Sequence, residues 1–236
     1  MALPRLNEVP KYELIIPSTK ETVKFRPFLV KEQKVLLLAY ESQDKKQILR
    51  AVTDTIEACV DGVGDNLTTY DVDYIFTQIR AKSVGETTMI QVACEVCDEM
   101  TDVKVNLGDI EVFSENEKPM SNIIALNDKM NLKLKHPTYN HLINIEGLEE
   151  KKQTELLMDI VVSCLDSILT EEEHISFADE SREEIMDFID SLNPDQFNKI
   201  SDYITSMPAL KTDIRFKCSG CGEEQTRELK GLDDFF

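Results

Sequence analysis

Two Cys-x-x-Cys segments, Cys94-Glu-Val-Cys97 and Cys218-Ser-Gly-Cys221, constrain this chain more than any other feature. Two thiolates three positions apart at a hairpin tip can hold one side of a tetrahedral Zn²⁺, and two such pairs complete a closed four-sulfur site. Strand-like apolar residues precede each segment (Met89, Ile90 and Val92; Ile214 and Phe216), and polar strand-like runs follow at 100–107 and 225–229. That is the layout of a zinc ribbon, except that Cys218 comes 121 positions after Cys97. A shared Zn²⁺ on Cys94, Cys97, Cys218 and Cys221 would tie together the ends of a long insertion and leave no open position for chemistry. A redox pair, two unrelated reduced thiol pairs and two disulfides remain as alternatives. The redox motif belongs at a helix N-terminus after a strand, and helical sequence follows neither segment. Cys59 and Cys164 fall on apolar helical stripes and read as small core residues.

The chain has 236 residues, 42% of them hydrophobic, enough for one large globular domain or two small ones with a real core. Its formal charge is −19, from 45 acids against 26 bases. Nucleic-acid binding needs clustered Lys and Arg, so this balance argues against it. It also disfavours an anionic membrane surface, and it suits a soluble protein or one that covers a basic partner. The opening Met-Ala-Leu-Pro-Arg-Leu-Asn lacks the pattern of a signal peptide, and no apolar run approaches the ~20 residues of a membrane span. A reducing cytoplasm is therefore expected, which favours metal over disulfide.

The pattern along the chain predicts an α+β protein of two hairpin-plus-helix lobes. Tyr12 to Pro17 and Glu21 to Phe25 read as a hairpin, stopped by Pro27. An apolar helix follows from Val30 to Tyr40, and another from about Asp44 to Val60 with Ile48, Leu49, Val52, Ile56 and Cys59 on one stripe. Thr68 caps a third helix, with Asp71 in capping-box position and a stripe of Val72, Ile75, Phe76 and Ile79. The first cysteine pair comes next, and 114–119 reads as a polar linker.

The order then begins again. A second hairpin spans Ile123 to Leu126 and Met130 to Leu134, followed by His136-Pro137 as Arg26-Pro27 followed the first. Short helical sequence from Tyr139 leads to an amphipathic helix predicted over Glu150 to Ile168, then an acidic stretch, Glu171 to Glu184. A helix through Ile185, Phe188 and Ile189 precedes one with Asn193 as N-cap and Pro194 at the first position. Asp71 lies 23 residues before Cys94, and Asp195 lies 23 before Cys218. This repetition suggests an internal duplication, with lobes at 1–113 and 120–236 joined by a split zinc ribbon.

Catalytic signatures are missing. There are three histidines, His136, His141 and His174, and no tryptophan. Phosphate-binding glycine loops, metalloprotease motifs and nucleophile elbows are absent, so no enzyme activity is expected.

Wording adds what pattern does not. Leu3-Pro4-x-Leu6-Asn7, Pro10-x-Tyr12-Glu13-Leu14, Phe25 to Glu32, Leu36 to Ala39, Arg80 to Glu86, the first cysteine pair and Cys218 to Phe236 together resemble the baseplate proteins of T4-like bacteriophages, the hub subunits and hub assembly proteins of contractile tails. The resemblance is densest over 3–107. It implies a non-enzymatic protein that helps build the baseplate hub in the cytoplasm of the infected cell, with hub or tape-measure proteins as partners and the tail baseplate as a possible destination. Phe235 and Phe236 beside Asp233 and Asp234 form an apolar ending expected to pack on its own ribbon or to insert into a partner. A zinc-ribbon interaction module of unrelated cytosolic machinery is the alternative, as is a cytosolic redox protein.

Overall fold

In chain order the elements are β1 (Tyr12–Ile15), β2 (Thr22–Phe25), α1 (Val30–Ser42), α2 (Lys45–Cys59), α3 (Thr69–Val84), β3 (Thr87–Ala93), β4 (Met100–Asn106) and β5 (Glu111–Phe113). There follow β6 (Ile123–Ala125), β7 (Met130–Leu134), α4 (Tyr139–Ile143), α5 (Gln153–Cys164), β8 (Leu165–Thr170), β9 (His174–Ser176), α6 (Arg182–Asp190), α7 (Pro194–Thr205), β10 (Ala209–Lys217) and β11 (Glu224–Lys230). The structure is a computed structural model and describes residues 9–64, 66–113, 121–145 and 151–234. The Leu3–Asn7 wording, the 114–119 linker and the Phe235–Phe236 ending lie outside the described residues. Among the described residues the fold is mixed α/β, with seven α-helices and four small antiparallel sheets.

Two units partition the chain: residues 1–113 together with 209–236, and residues 114–208. The second cysteine pair thus belongs with the first unit, whereas the repeat pattern in the sequence groups all of 120–236 in one lobe. The physical reason is strand pairing. Lys211 to Ala209 of β10 line up antiparallel with Glu111 to Phe113 of β5, and β11 pairs on the other edge of β10. A three-residue strand such as β5 gives little signal in sequence.

In the first unit, β1 and β2 pair with Tyr12 opposite Phe25. Glu32 accepts from the Leu29 N–H at 2.8 Å and so caps α1, and Gln43 ends that helix in the left-handed region with φ 57°. Asp44 accepts from the Gln47 N–H at 3.0 Å to start α2. The expected Thr68–Asp71 box starts α3, and the carboxylate of Asp71, fully buried, also accepts from the Ser18 N–H at 2.9 Å. One side chain therefore caps the helix and holds the β1–β2 turn. Val72, Ile75, Phe76 and Ile79 form the buried stripe of α3. A second apolar cluster gathers Val92, Val103, Val105, Leu107, Ile110, Leu210, Ile214 and Leu229 beneath the hairpins that carry the cysteines.

The second unit is built on one sheet in the order β6-β7-β8-β9, whose core joins Leu132, Leu134, Val161, Leu165 and Ile200. Ser181 with Glu184 and Asn193 with Gln196 cap α6 and α7. Gln196 Nε2 and Lys199 Nζ donate to the carbonyls of Leu126 and Ala125, fastening α7 to the β6 end. The predicted helix over 150–168 stops at Cys164, and Leu165 to Thr170 is a strand instead. β7 and β9 supply ladder partners on both sides of it, and that pairing overrides a helical pattern. Part of the acidic stretch forms β9.

One local arrangement occurs in both units. The Arg26 N–H donates to the Cys59 carbonyl at 2.9 Å, with Val60 bridged to Phe25; the Lys135 N–H donates to the Cys164 carbonyl at 2.8 Å, with Leu165 opposite Leu134. Each of the two non-clustered cysteines is thus a buried last residue of a helix that turns back onto a hairpin.

Candidate metal centre

The β3–β4 ladder closes at Ala93 opposite Met100, leaving Cys94 to Glu99 as a turn; the β10–β11 ladder closes at Lys217 opposite Glu224, leaving Cys218 to Glu223. The turns share one backbone plan. Cys94 N–H donates to the Glu99 carbonyl at 3.0 Å and Asp98 N–H to the Cys94 carbonyl at 2.9 Å. Cys218 N–H donates to the Glu223 carbonyl at 2.8 Å and Gly222 N–H to the Cys218 carbonyl at 3.1 Å. The fifth residue takes positive φ in both, 56° at Asp98 and 78° at Gly222, a conformation that Gly adopts freely and Asp tolerates.

These turns bring the four predicted residues together: the Sγ atoms of Cys94, Cys97, Cys218 and Cys221 all lie within 4.8 Å of one another. Cys94 and Cys221 are 3.7 Å apart and Cys97 and Cys218 3.6 Å apart, too far for disulfides. Four sulfurs at about 2.3 Å from a tetrahedral ion sit about 3.8 Å from one another. The cluster therefore could hold a metal ion.

Surrounding groups favour sulfur anions. The Val96 and Gly220 N–H groups donate to Cys94 and Cys218 Sγ at 3.4 and 3.3 Å, and Gln225 Nε2 reaches Cys94 Sγ at 3.3 Å. Ties between the hairpins fix their approach: Ser219 N–H donates to Thr101 Oγ1 at 3.1 Å, and Glu95 N–H to Gln225 Oε1 at 3.3 Å. Gly220 also sits so near Glu99 that an added Cβ would lie 3.0 Å from its Cγ. Sulfurs this close do not ionise alike. The backbone N–H of Cys221, then that of Gly220, draws the Cys218 thiol down to about 6. At Cys97 the Glu99 backbone pulls downward, but hydrogen bonds that the Cys97 S–H donates to the Cys221 and Cys218 sulfurs outweigh it and push the thiol up to about 12. A cation in the centre relieves this crowding of negative charge.

The histidines all belong to the second unit. His136 stacks on Tyr203, with ring centroids 5.7 Å apart, and His174 is exposed on β9. His141 Nδ1 lies 2.6 Å from Thr138 Oγ1 at the start of α4, its pKa lowered first by burial and then by Lys135. Sequence reasoning missed Asp159, a buried carboxylate held by Lys151 and Arg182; its place at i+4 from Glu155 on an amphipathic helix gave no sign of burial. It also missed Thr101 and Gln225, whose contacts depend on the hairpins meeting.

The family model described as T4 bacteriophage base plate protein matches residues 9–236. A search of curated proteins and one of solved structures found no match. Among the described residues no helix is long and apolar enough to cross a membrane. The match takes in both units and both cysteine turns, and the chain belongs to the T4 bacteriophage base plate protein family.

Proposed function

We propose that the protein is a non-enzymatic component of the baseplate hub, structural or assembly-promoting, stapled by one Zn²⁺ on Cys94, Cys97, Cys218 and Cys221. The observation that carries the baseplate role is the family match over residues 9–236. The hub assignment rests on the resemblance of Phe25 to Glu32, Arg80 to Glu86 and the C-terminal segment to hub and hub-assembly proteins. Its partners on this reading are hub or tape-measure proteins, met in the host cytoplasm during assembly and retained in the tail baseplate. A charge of −19 keeps such a subunit soluble before it is incorporated.

An all-cysteine tetrahedral set in a reducing cell is the usual chemistry of structural zinc. Bound there, the ion supplies cross-linking and neutralises thiolate charge. Val96, Gly220 and Gln225 orient the sulfurs, and Thr101 with Ser219 keeps the hairpins in register. The matched ends of α2 and α5, and the matched cysteine turns, support reading the chain as an internal duplication whose two turns close one split ribbon.

The test is a tagged pull-down from phage-infected cells with identification of co-purifying proteins. Recovery of hub or tape-measure components supports the hub reading and names the partner. Recovery of other baseplate proteins without them moves the protein elsewhere in the baseplate.

A further inference from the structure

Helix α1 is apolar on two opposite faces. Its inner face buries Leu36 and Ala39, together with Glu32. On the outer face Val30, Leu37 and Leu38 are 64%, 54% and 66% exposed. A surface helix of a soluble protein ordinarily keeps one polar face. Apolar residues scattered singly need no explanation, but three on one stripe of a 13-residue helix form a surface suited to burial.

We propose that this face pairs with the same face of a second copy of the chain, the two α1 helices running antiparallel about a twofold axis. The stripe itself names the occupant. Lys34 and Glu41 complete it, both exposed, and neither makes an ion pair among the described residues. They stand at equal distances on either side of the midpoint between Leu37 and Leu38. An antiparallel register that sets Leu37 against Leu38 of the second copy therefore sets Lys34 against Glu41 of that copy, and does so twice. Self-complementarity of this kind is what an isologous contact requires. Two molecules of charge −19 repel at long range, so they meet best where the surface is locally not acidic. Residues 30–46 meet that condition, with Lys31, Lys34, Lys45 and Lys46 against Glu32, Glu41 and Asp44. One helix pair is a small contact beside the roughly 1,200 Å² of stable interfaces, so a weak, concentration-dependent dimer is expected.

The proposal is independent of the baseplate role and is tested on the full-length chain by sedimentation equilibrium at physiological salt, from micromolar to millimolar concentration. The parent is expected to show a monomer–dimer equilibrium. Leu38→Glu weakens it at least about a hundredfold, since burying a charge against apolar side chains is strongly unfavourable. Lys34→Glu and Glu41→Lys each weaken it about tenfold, because two attractions become two repulsions, and the double reversal recovers the parent value. Glu41→Lys is the decisive variant: it makes the chain less acidic, which would strengthen association if only net charge mattered. All three positions are exposed, so circular dichroism should show unchanged folding. A parent that stays monomeric throughout, a dimer indifferent to Leu38→Glu, or a double reversal no better than the single ones overturns the proposal.

Discussion

Replacing Cys218 by Ser removes one ligand from the four-sulfur cluster and, on the zinc reading, the tie between two segments far apart in sequence. Cys97 and Cys218 are 121 positions apart. In the chain-entropy treatment of a cross-link, closing a loop of about that length in the unfolded chain is worth about 5 kcal/mol. If the second unit keeps its fold while the first opens, the freely moving segments shorten to about 25 residues and the figure falls to about 3.5 kcal/mol. With a denaturant slope of about 4 kcal/mol/M, the guanidinium midpoint drops by about 1 M. The assay follows unfolding of metal-loaded parent and variant together with metal content by plasma mass spectrometry. One ion per chain is expected in the parent. A chelator should lower the parent toward the variant and leave the variant unmoved. A Cys218→Ser protein with the parent's midpoint and the parent's metal content would refute the staple.

Three further outcomes follow from the geometry. Asp71→Ala leaves the Ser18 and Thr68 N–H groups and the Thr68 hydroxyl without their acceptor in a fully buried place, so stability should fall by about 3–4 kcal/mol in denaturant unfolding; a loss under about 1 kcal/mol would contradict that role. Burial works to raise the Glu32 pKa, but hydrogen bonds from Arg26, the Leu29 N–H and Lys31 prevail and hold it at about 2 against an ordinary 4.5. Its ionised form therefore contributes stability above pH 4.5 that is lost as pH falls toward 2, about 1–2 kcal/mol once solvent around Lys31 is allowed for. The stability difference between parent and Glu32→Gln should accordingly shrink on acidification, and a constant difference would count against the linkage. At the fifth turn position, Gly222→Ala should cost about 1–2 kcal/mol while Asp98→Gly is neutral or slightly stabilising by thermal melting; equal losses would remove the backbone argument.

What could be seen in the sequence was local. Thr68 with Asp71, Asn193 with Pro194 and Gln196, and the cysteine turns each place their partners within a few positions, so side-chain chemistry alone names them. The strand β8 was hidden because Val161, Cys164, Leu165 and Ile168 continue a helical spacing across the true boundary, and only the waiting edge of β7 decides otherwise. The Asp159 pairings with Lys151 and Arg182 span 8 and 23 positions and carry no periodic trace. Nor could pattern distinguish the inner from the outer apolar face of α1. At the cluster, which four cysteines come together is legible from spacing, whereas the supporting groups Gln225 and Thr101 become visible only once β4 and β11 are folded.

Phe113 and Ala209 are register partners on neighbouring strands, and residues 114–208 leave the first unit at one and return at the other. Exit and entry points are thus about one strand spacing apart, near 5 Å, the gap that an ordinary two-residue turn spans. The intervening segment is topologically a cassette. A short turn grafted between β5 and β10 would close the same ladder, and a different domain with neighbouring ends could be installed there without touching the cysteine turns.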